Sequence, residues 1–156
     1  MPLHPDLSPL IGLPYNFDHS PRVDLISEAV NCQRMLHQAY QSRLGIILPK
    51  GMWSQEIFHD ESLIFATVDR FAFEADIGIF GPIHGRDPRY FHLAYFTGQH
   101  DESGDPLLLH ATVYDRQVSI WKLSDFFKKP RYEELKRIKR VKPELFDSQV
   151  RPVIFQ

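Results

Sequence analysis

Four short connections separate five strand-like segments in the middle of the chain. The segments are rich in β-branched and aromatic residues and alternate apolar with polar side chains: Leu63–Val68, Phe71–Phe80, Tyr90–Thr97, Leu107–Tyr114 and Gln117–Leu123. None of the connections is long enough for the crossover helix that a parallel strand pair requires. The chain is therefore predicted to form an antiparallel meander of about five strands, spanning residues 62–123.

Helical patterns flank the predicted sheet. Ser20-Pro21 combines an N-cap residue with proline at the first helical position, and apolar residues then recur at helical spacing over 21–43. A second helix, rich in basic residues, is predicted over 130–142. With residues 1–19 as an irregular arm, the 156 residues predict a single α+β domain whose two helices pack on the apolar face of the sheet.

The cysteine content and the hydropathy indicate the cellular compartment. Cys32 is the only cysteine, so an intrachain disulfide and a four-cysteine zinc site are excluded, and the expected role of Cys32 is that of a small buried apolar residue. No apolar run approaches 18 residues, and Met1–Pro9 lacks the features of a signal peptide. These features favour a cytoplasmic protein without a membrane partner.

Alternation along the strands sorts their side chains into two faces. One face is apolar and is the predicted core. The other combines polar, small and aromatic side chains: Glu74, Asp76, Gly78, Tyr90, His92, Ala94, His110, Thr112, Ser119 and Trp121. With symmetric hairpins, Asp76, Ala94 and His110 would share one row, and Gly78, His92 and Thr112 the next.

The polar face admits several interpretations. It could bind a ligand through Tyr90, Thr112 and Trp121, or it could bind a metal ion through two histidines and a carboxylate. It could also perform acid–base chemistry, with catalytic candidates Glu74, Asp76, His92 and His110 if the protein is an enzyme. Alternatively, it is an ordinary solvated face of an antiparallel sheet. The cofactor and the metal ligands stay unknown.

The element order of helix, strands, helix and strand resembles the core of the PD-(D/E)xK nucleases. The resemblance implies that Glu28, Glu74 and Asp76 are the carboxylates that would hold Mg²⁺ against a phosphodiester. The ExK tripeptide of that family is absent, because Ile120 lies two residues before Lys122. The resemblance therefore covers element order alone, and a divalent metal belongs only to this alternative.

The predicted C-terminal helix concentrates positive charge. Eight cations lie between residues 128 and 142, and Lys136, Arg137, Lys139 and Arg140 are the candidates for contact with a partner or a phosphate. Such a segment suits nucleic acid or an acidic protein surface, or is simply a solvated basic face.

These patterns lead to two functional hypotheses. The first is a small binding or regulatory protein that engages a protein partner, or a second copy of itself, through the aromatic–polar sheet face, the basic helix, or both. The alternative is a metal-dependent phosphodiesterase or nuclease that uses the acidic residues on the sheet. No P-loop, GxGxxG or GxSxG motif supports another enzyme class, so whether the protein is an enzyme stays open.

Overall fold

A computed structural model describes residues 3–15 and 31–145. Within them, six strands form one sheet: β1 (Phe65–Val68), β2 (Ile77–Gly81), β3 (His92–His100), β4 (Pro106–Thr112), β5 (Gln117–Lys122) and β6 (Glu134–Val141). The spatial order is β1-β6-β2-β3-β4-β5, and every neighbouring pair is antiparallel. The predicted fold class, an α+β domain on an antiparallel sheet, is confirmed.

Three α-helices accompany the sheet in the described residues: α1 (Cys32–Ala39), α2 (Ser54–His59) and α3 (Leu123–Phe126). A π-helical turn, Tyr40–Leu44, extends α1 to Gly45, whose φ of 68° ends it in the left-handed region. Asn31 has extended backbone and its side chain accepts a hydrogen bond from the Arg34 N–H, so it caps the start of α1. A helix was predicted to run continuously over 21–43, but a helix begins at Cys32, directly after Asn31. Residues 21–30 lie outside the described part of the chain. None of the described helices is both long and apolar enough to cross a bilayer.

The predicted basic helix over 130–142 is wrong. Its residues form a short 3-10 turn, Pro130–Tyr132, followed by strand β6, which pairs with β1 on one side and β2 on the other. The physical reason is a β-bulge: Phe80 lies opposite Leu135 while Ile79 lies opposite Arg137, so Lys136 is an extra residue. A bulge breaks the two-residue alternation, and apolar residues three apart then resemble a helical stripe.

The predicted apolar face is the main core. Ile77, Ile79, Leu93, Tyr95 and Leu109 are buried there, and α1 packs on strands β3 and β4. The hydroxyl of Tyr40 donates a hydrogen bond to the Ala75 carbonyl and so ties the end of α1 to the entry of β2. This hydrogen bond fixes the position of the helix along the sheet.

The opposite face is covered as well, contrary to the expectation of an open polar surface. Helix α3 and the 3-10 turn fold back over it, so Phe126 and Tyr132 join Phe80, Ala94 and Phe96 in a second cluster. The predicted register is also corrected between β2 and β3, where Gly78, and not Asp76, lies opposite Ala94. A shift of two residues leaves the paired residues of β2 and β3 on their predicted faces, so His92 and Ala94 lie beneath the cover. The predicted strand over 71–80 begins only at Ile77, so the predicted alternation does not apply to Glu74 and Asp76.

Candidate active site

Strands β3 and β4 bring two histidines together beneath this cover. The Nε2 of His92 lies 2.8 Å from the Nδ1 of His110, a distance at which one nitrogen donates a hydrogen bond to the other. His92 is 8% exposed and His110 is fully buried. Both were predicted to lie on one sheet face, and the structure places them in direct contact.

Aromatic rings enclose the pair. Tyr132 stacks on His92 with ring centroids 4.1 Å apart, and its hydroxyl shares a 2.9 Å hydrogen bond with Thr112. Trp121 and Phe126 pack on His110 at centroid distances of 4.5 and 4.4 Å. Thr112 and Trp121, which were predicted as ligand-binding residues, therefore belong to the walls of the histidine site.

Burial keeps both imidazoles neutral near pH 7. It lowers the pKa of His92 to about 3, with a smaller contribution from the positive charge of Arg131. Burial also lowers the pKa of His110 well below its ordinary value, and the neighbouring His92 adds to this. A neutral imidazole has one bare nitrogen and can accept a proton.

Cys32 lies at the same end of β3. It is the first residue of α1 and is partly buried, and the backbone N–H groups of Leu93, Cys32 itself and Gln33 lie close enough to its sulfur to lower the pKa of the thiol in part. Because Leu93 follows His92 directly, the thiol lies beside the His92 backbone. The N-terminus of a helix favours negative charge on such a sulfur.

The thiol is protonated in the resting protein. Burial raises the pKa of Cys32 to about 11, and the three backbone donors only partly offset that effect. Two tyrosines share the surroundings of the sulfur: the charge of Cys32 acts on both Tyr15 and Tyr132. The thiol, the two imidazoles and the phenols of Tyr15 and Tyr132 are therefore all uncharged in the resting protein.

The N-terminal arm contributes Tyr15 to this site. The Tyr15 N–H donates to the Arg116 carbonyl, and Pro14 forms a bridge with Gln117, so the arm continues the sheet beyond β5. Burial raises the pKa of Tyr15 to about 12, the charge of Cys32 adds to this, and the charge of Arg131 opposes it. Arg131 thus acts on both Tyr15 and His92 from the 3-10 turn.

The acidic candidates lie elsewhere. Asp76 is 1% exposed and pairs with Arg140, while the carboxylate of Glu74 pairs with Arg43 and accepts a hydrogen bond from the Tyr95 hydroxyl. Neither carboxylate joins the histidines, and no group of three or more potential metal ligands forms within 3–15 and 31–145. Glu28 lies outside the described residues. Each of the two carboxylates is held by its own arginine, so Glu74 and Asp76 do not converge on a shared site.

Tyr90 is far more exposed than the other ligand-binding candidates. It is 74% exposed in the 3-10 turn Pro88–Tyr90, and the Arg89 guanidinium lies over its ring. It precedes β3 instead of lying within it, so the predicted alternation does not apply to it. The structure separates Tyr90 from the covered face that holds Thr112 and Trp121.

The basic candidates on β6 are engaged by the protein itself. Lys136 pairs with Glu134, Arg137 donates to the Phe58 carbonyl, Lys139 pairs with Glu61, and Arg140 pairs with Asp76. Lys139 is completely buried, with its ammonium 2.6 Å from both the Asp60 carbonyl and the Glu61 carboxylate. These side chains join β6 to the elements around it and do not form the free basic face of a helix.

Cys32 is the residue that the sequence interpretation missed. It was expected to be a buried apolar residue because the helix was predicted to begin at Pro21, which placed Cys32 in the middle of it. The available signal was Asn31, a good N-cap residue directly before the cysteine. Its significance depends on the contact with Leu93, which is 61 positions away in the chain.

Comparisons with known proteins identify the architecture. Solved structures that resemble this chain include these two. One is that of NlpC2 from Trichomonas vaginalis, with a TM-score of 0.55 and 17% identity over 86% of this chain and 44% of that one. The other is the NlpC/p60 domain of the peptidoglycan hydrolase SagA, with a TM-score of 0.50 and 16% identity over 78% of this chain and 86% of that one. The fold is NlpC/p60-like.

The NlpC/p60 likeness rests on structure alone. No protein-family model matches the chain, and no curated protein matches its sequence. The chain spans less than half the length of NlpC2. At these identities the likeness establishes the fold, and any activity has to be argued from the site.

The NlpC/p60-like fold corrects the functional hypotheses drawn from the sequence. A binding or regulatory protein, a nucleic-acid-binding protein and a metal-dependent phosphodiesterase were expected, whereas one neighbour with this fold is a domain of a peptidoglycan hydrolase. The ion pairs of Asp76 and of the β6 cations explain why those hypotheses failed. Binding to a protein partner or to a second copy of the chain stays a prediction.

Proposed function

We propose that this chain is a thiol-dependent hydrolase of amide bonds, in which Cys32 is the nucleophile, His92 the general base and His110 the residue that orients His92. The observation that carries the proposal is that the only cysteine, at the N-terminus of α1 and close to the Leu93 backbone, and a buried pair of hydrogen-bonded histidines both lie near the start of β3. A nucleophile, a base and a third group that orients the base are the elements of covalent acyl transfer.

The proposed reaction uses the neutral state of both partners. As the Cys32 sulfur attacks the carbonyl carbon, its proton passes to the bare nitrogen of His92, which afterwards delivers it to the leaving amine. A thioester remains on Cys32. Water, deprotonated by His92, then attacks the thioester, releases the acid and returns the proton to the sulfur.

The surroundings favour each step. The N-terminus of α1 and the three N–H groups at the sulfur stabilise negative charge that develops there. Tyr132, stacked on His92, keeps bulk water from one face of the base. Arg131 lies close enough to Tyr15 and His92 to act electrostatically on both.

The substrate class is proposed by analogy of fold. One neighbour is a peptidoglycan hydrolase by its title, so cell-wall peptides are the first amides to test. The proposed location is the cytoplasm, where a single free thiol stays reduced, and soluble peptide fragments would be the substrates there.

The test is a hydrolysis assay on purified cell-wall peptide fragments, with products identified by mass spectrometry. Cys32→Ser should abolish turnover while the melting temperature stays close to that of the parent chain. His84→Gln is the matched control, because His84 is exposed in a loop and should leave turnover unchanged. Equal turnover by Cys32→Ser and the parent chain would exclude the proposal, whereas a thioester adduct on Cys32 in the acid-quenched reaction would support it.

A further inference from the structure

The contact between His92 and His110 poses a question about tautomers. Because both imidazoles are neutral, one of the two facing nitrogens carries a proton and the other does not. If His92 donates from Nε2, its Nδ1 is bare and can act as a base. If His110 donates from Nδ1, the Nδ1 of His92 carries a proton and cannot take one from the thiol.

The other nitrogen of His110 decides between these arrangements. Its Nε2 is buried and has no hydrogen-bond partner within the described residues. The rings packed on this imidazole are those of Trp121, Phe126, Tyr132 and His92. The face of an aromatic ring carries partial negative charge, which attracts an N–H group and repels a nitrogen lone pair.

We infer that Trp121 and Phe126 are positioning residues: their rings hold the proton of His110 on Nε2, which makes His110 Nδ1 the acceptor and leaves the Nδ1 of His92 bare as the base. The inference rests on the proposed function for its catalytic meaning, although the tautomers themselves do not depend on activity. The effect passes from Trp121 and Phe126 to the base through His110, so neither ring has to touch the substrate.

Both rings are held in place by their own contacts. The indole N–H of Trp121 donates to the Asp115 carboxylate at 2.8 Å, and this hydrogen bond fixes the orientation of the indole ring. Phe126 stacks on Phe80 with centroids 4.4 Å apart and a 17° interplanar angle. A ring in a fixed orientation keeps its electrostatic attraction for the N–H group, whereas the attraction of a mobile ring would be weakened by averaging over its orientations.

The direct test is nitrogen NMR of ¹⁵N-histidine-labelled full-length protein near pH 7, because protonated and bare imidazole nitrogens have well-separated shifts. His37 supplies an internal reference, since its Nε2 lies 2.8 Å from the Met52 carbonyl and has to donate. We expect His92 and His110 to show the same pattern as His37, with Nε2 protonated and Nδ1 bare. A proton on the Nδ1 of His110 would overturn the inference.

The nitrogen spectrum and the hydrolysis assay, both on the parent chain, together separate the two proposals. The expected tautomers in an inactive parent chain would uphold the inference and reject the proposed function. The opposite tautomers in an active chain would do the reverse.

Kinetics test the role of the rings through a double-mutant cycle. Trp121→Leu should lower kcat at least tenfold with little change in KM, whereas Trp121→Phe, which keeps an aromatic face, should retain most of it. Asn in place of His110 has no tautomers and can present its carbonyl oxygen to His92. In His110→Asn, the further change Trp121→Leu should therefore cost little, and an equal loss in both backgrounds would show a merely structural role and reject the inference.

Discussion

The carboxylate of Asp76 receives hydrogen bonds of 2.8 Å from both the Nε and the Nη2 of Arg140, and Asp76 is 1% exposed. The same carboxylate accepts the backbone N–H groups of Ala72 and Phe73, so four donors converge on it. This arrangement ties β6 to the loop that enters β2, and it explains why a residue that resembled a metal ligand is instead part of the framework.

Asp76→Asn should reduce the free energy of unfolding by about 3 kcal/mol, the lower end of the cost of breaking a buried ion pair, because Arg140 keeps some contact with solvent. Urea denaturation measures it. Asp69→Asn is the control. Asp69 is exposed and acts on Arg140 through its charge alone, so this substitution should change the free energy of unfolding by no more than about 0.5 kcal/mol. Equal effects of the two changes would contradict this account of Asp76.

Acid should destabilise the protein well before its carboxylates titrate. The pKa values of His92 and His37 are lowered to about 3 and about 4, so between those values and about 6.5 the unfolded chain binds protons that the folded chain does not. Stability therefore falls as pH falls through this window. At pH 5 each of the two histidines should cost about 2 kcal/mol relative to pH 7.5.

Urea midpoints at pH 7.5 and pH 5 measure that loss. His37→Gln should reduce the difference between the two pH values, because one of the buried histidines is then removed. A midpoint that is the same at both pH values would show that the imidazoles take up protons inside the fold.

The reactivity of Cys32 should follow a raised pKa. Burial raises the pKa of the thiol to about 11, so the rate of alkylation by iodoacetamide should climb about tenfold per pH unit from pH 7 to 10 without levelling off. Labelling reports on one site, because the chain has one cysteine. The urea-unfolded chain is the control and should level off near the ordinary thiol pKa, about 8.5. A plateau of fast reaction below pH 7 in the folded protein would reveal a thiolate–imidazolium pair instead.

Gly78→Ala should destabilise the sheet by about 1–3 kcal/mol, the usual cost of overpacking. A Cβ at this position would lie 2.7 Å from the Phe80 ring and 2.9 Å from the Phe71 ring, both packed in the second cluster. Gly51→Ala is the matched control, since a Cβ there meets nothing within 4 Å. Thermal melts of the two variants compare them, and similar melting temperatures would mean that the rings yield without cost.

Local patterns were enough for much of the fold. Strand alternation and the short connections predicted the antiparallel sheet, and side-chain parity placed His92 and His110 on one face, because both properties depend only on residues near one another in the chain. The hairpin β4–β5 forms as predicted, although the Asp115-Arg116 connection is part of a four-residue turn over 113–116 and Thr112 pairs with Gln117.

Tertiary contacts decided the remainder. The sequence by itself determined the strands of the meander and their faces, but a bulge at Lys136 concealed β6, whose place between β1 and β2 comes from pairings across more than fifty residues. The cover of Phe126 and Tyr132 turned a polar face into a buried site, and the contact with Leu93 turned Cys32 from an apolar residue into a nucleophile candidate. Burial and long-range proximity set the ionisation of these groups, and neither property is encoded in the spacing of residues along the chain.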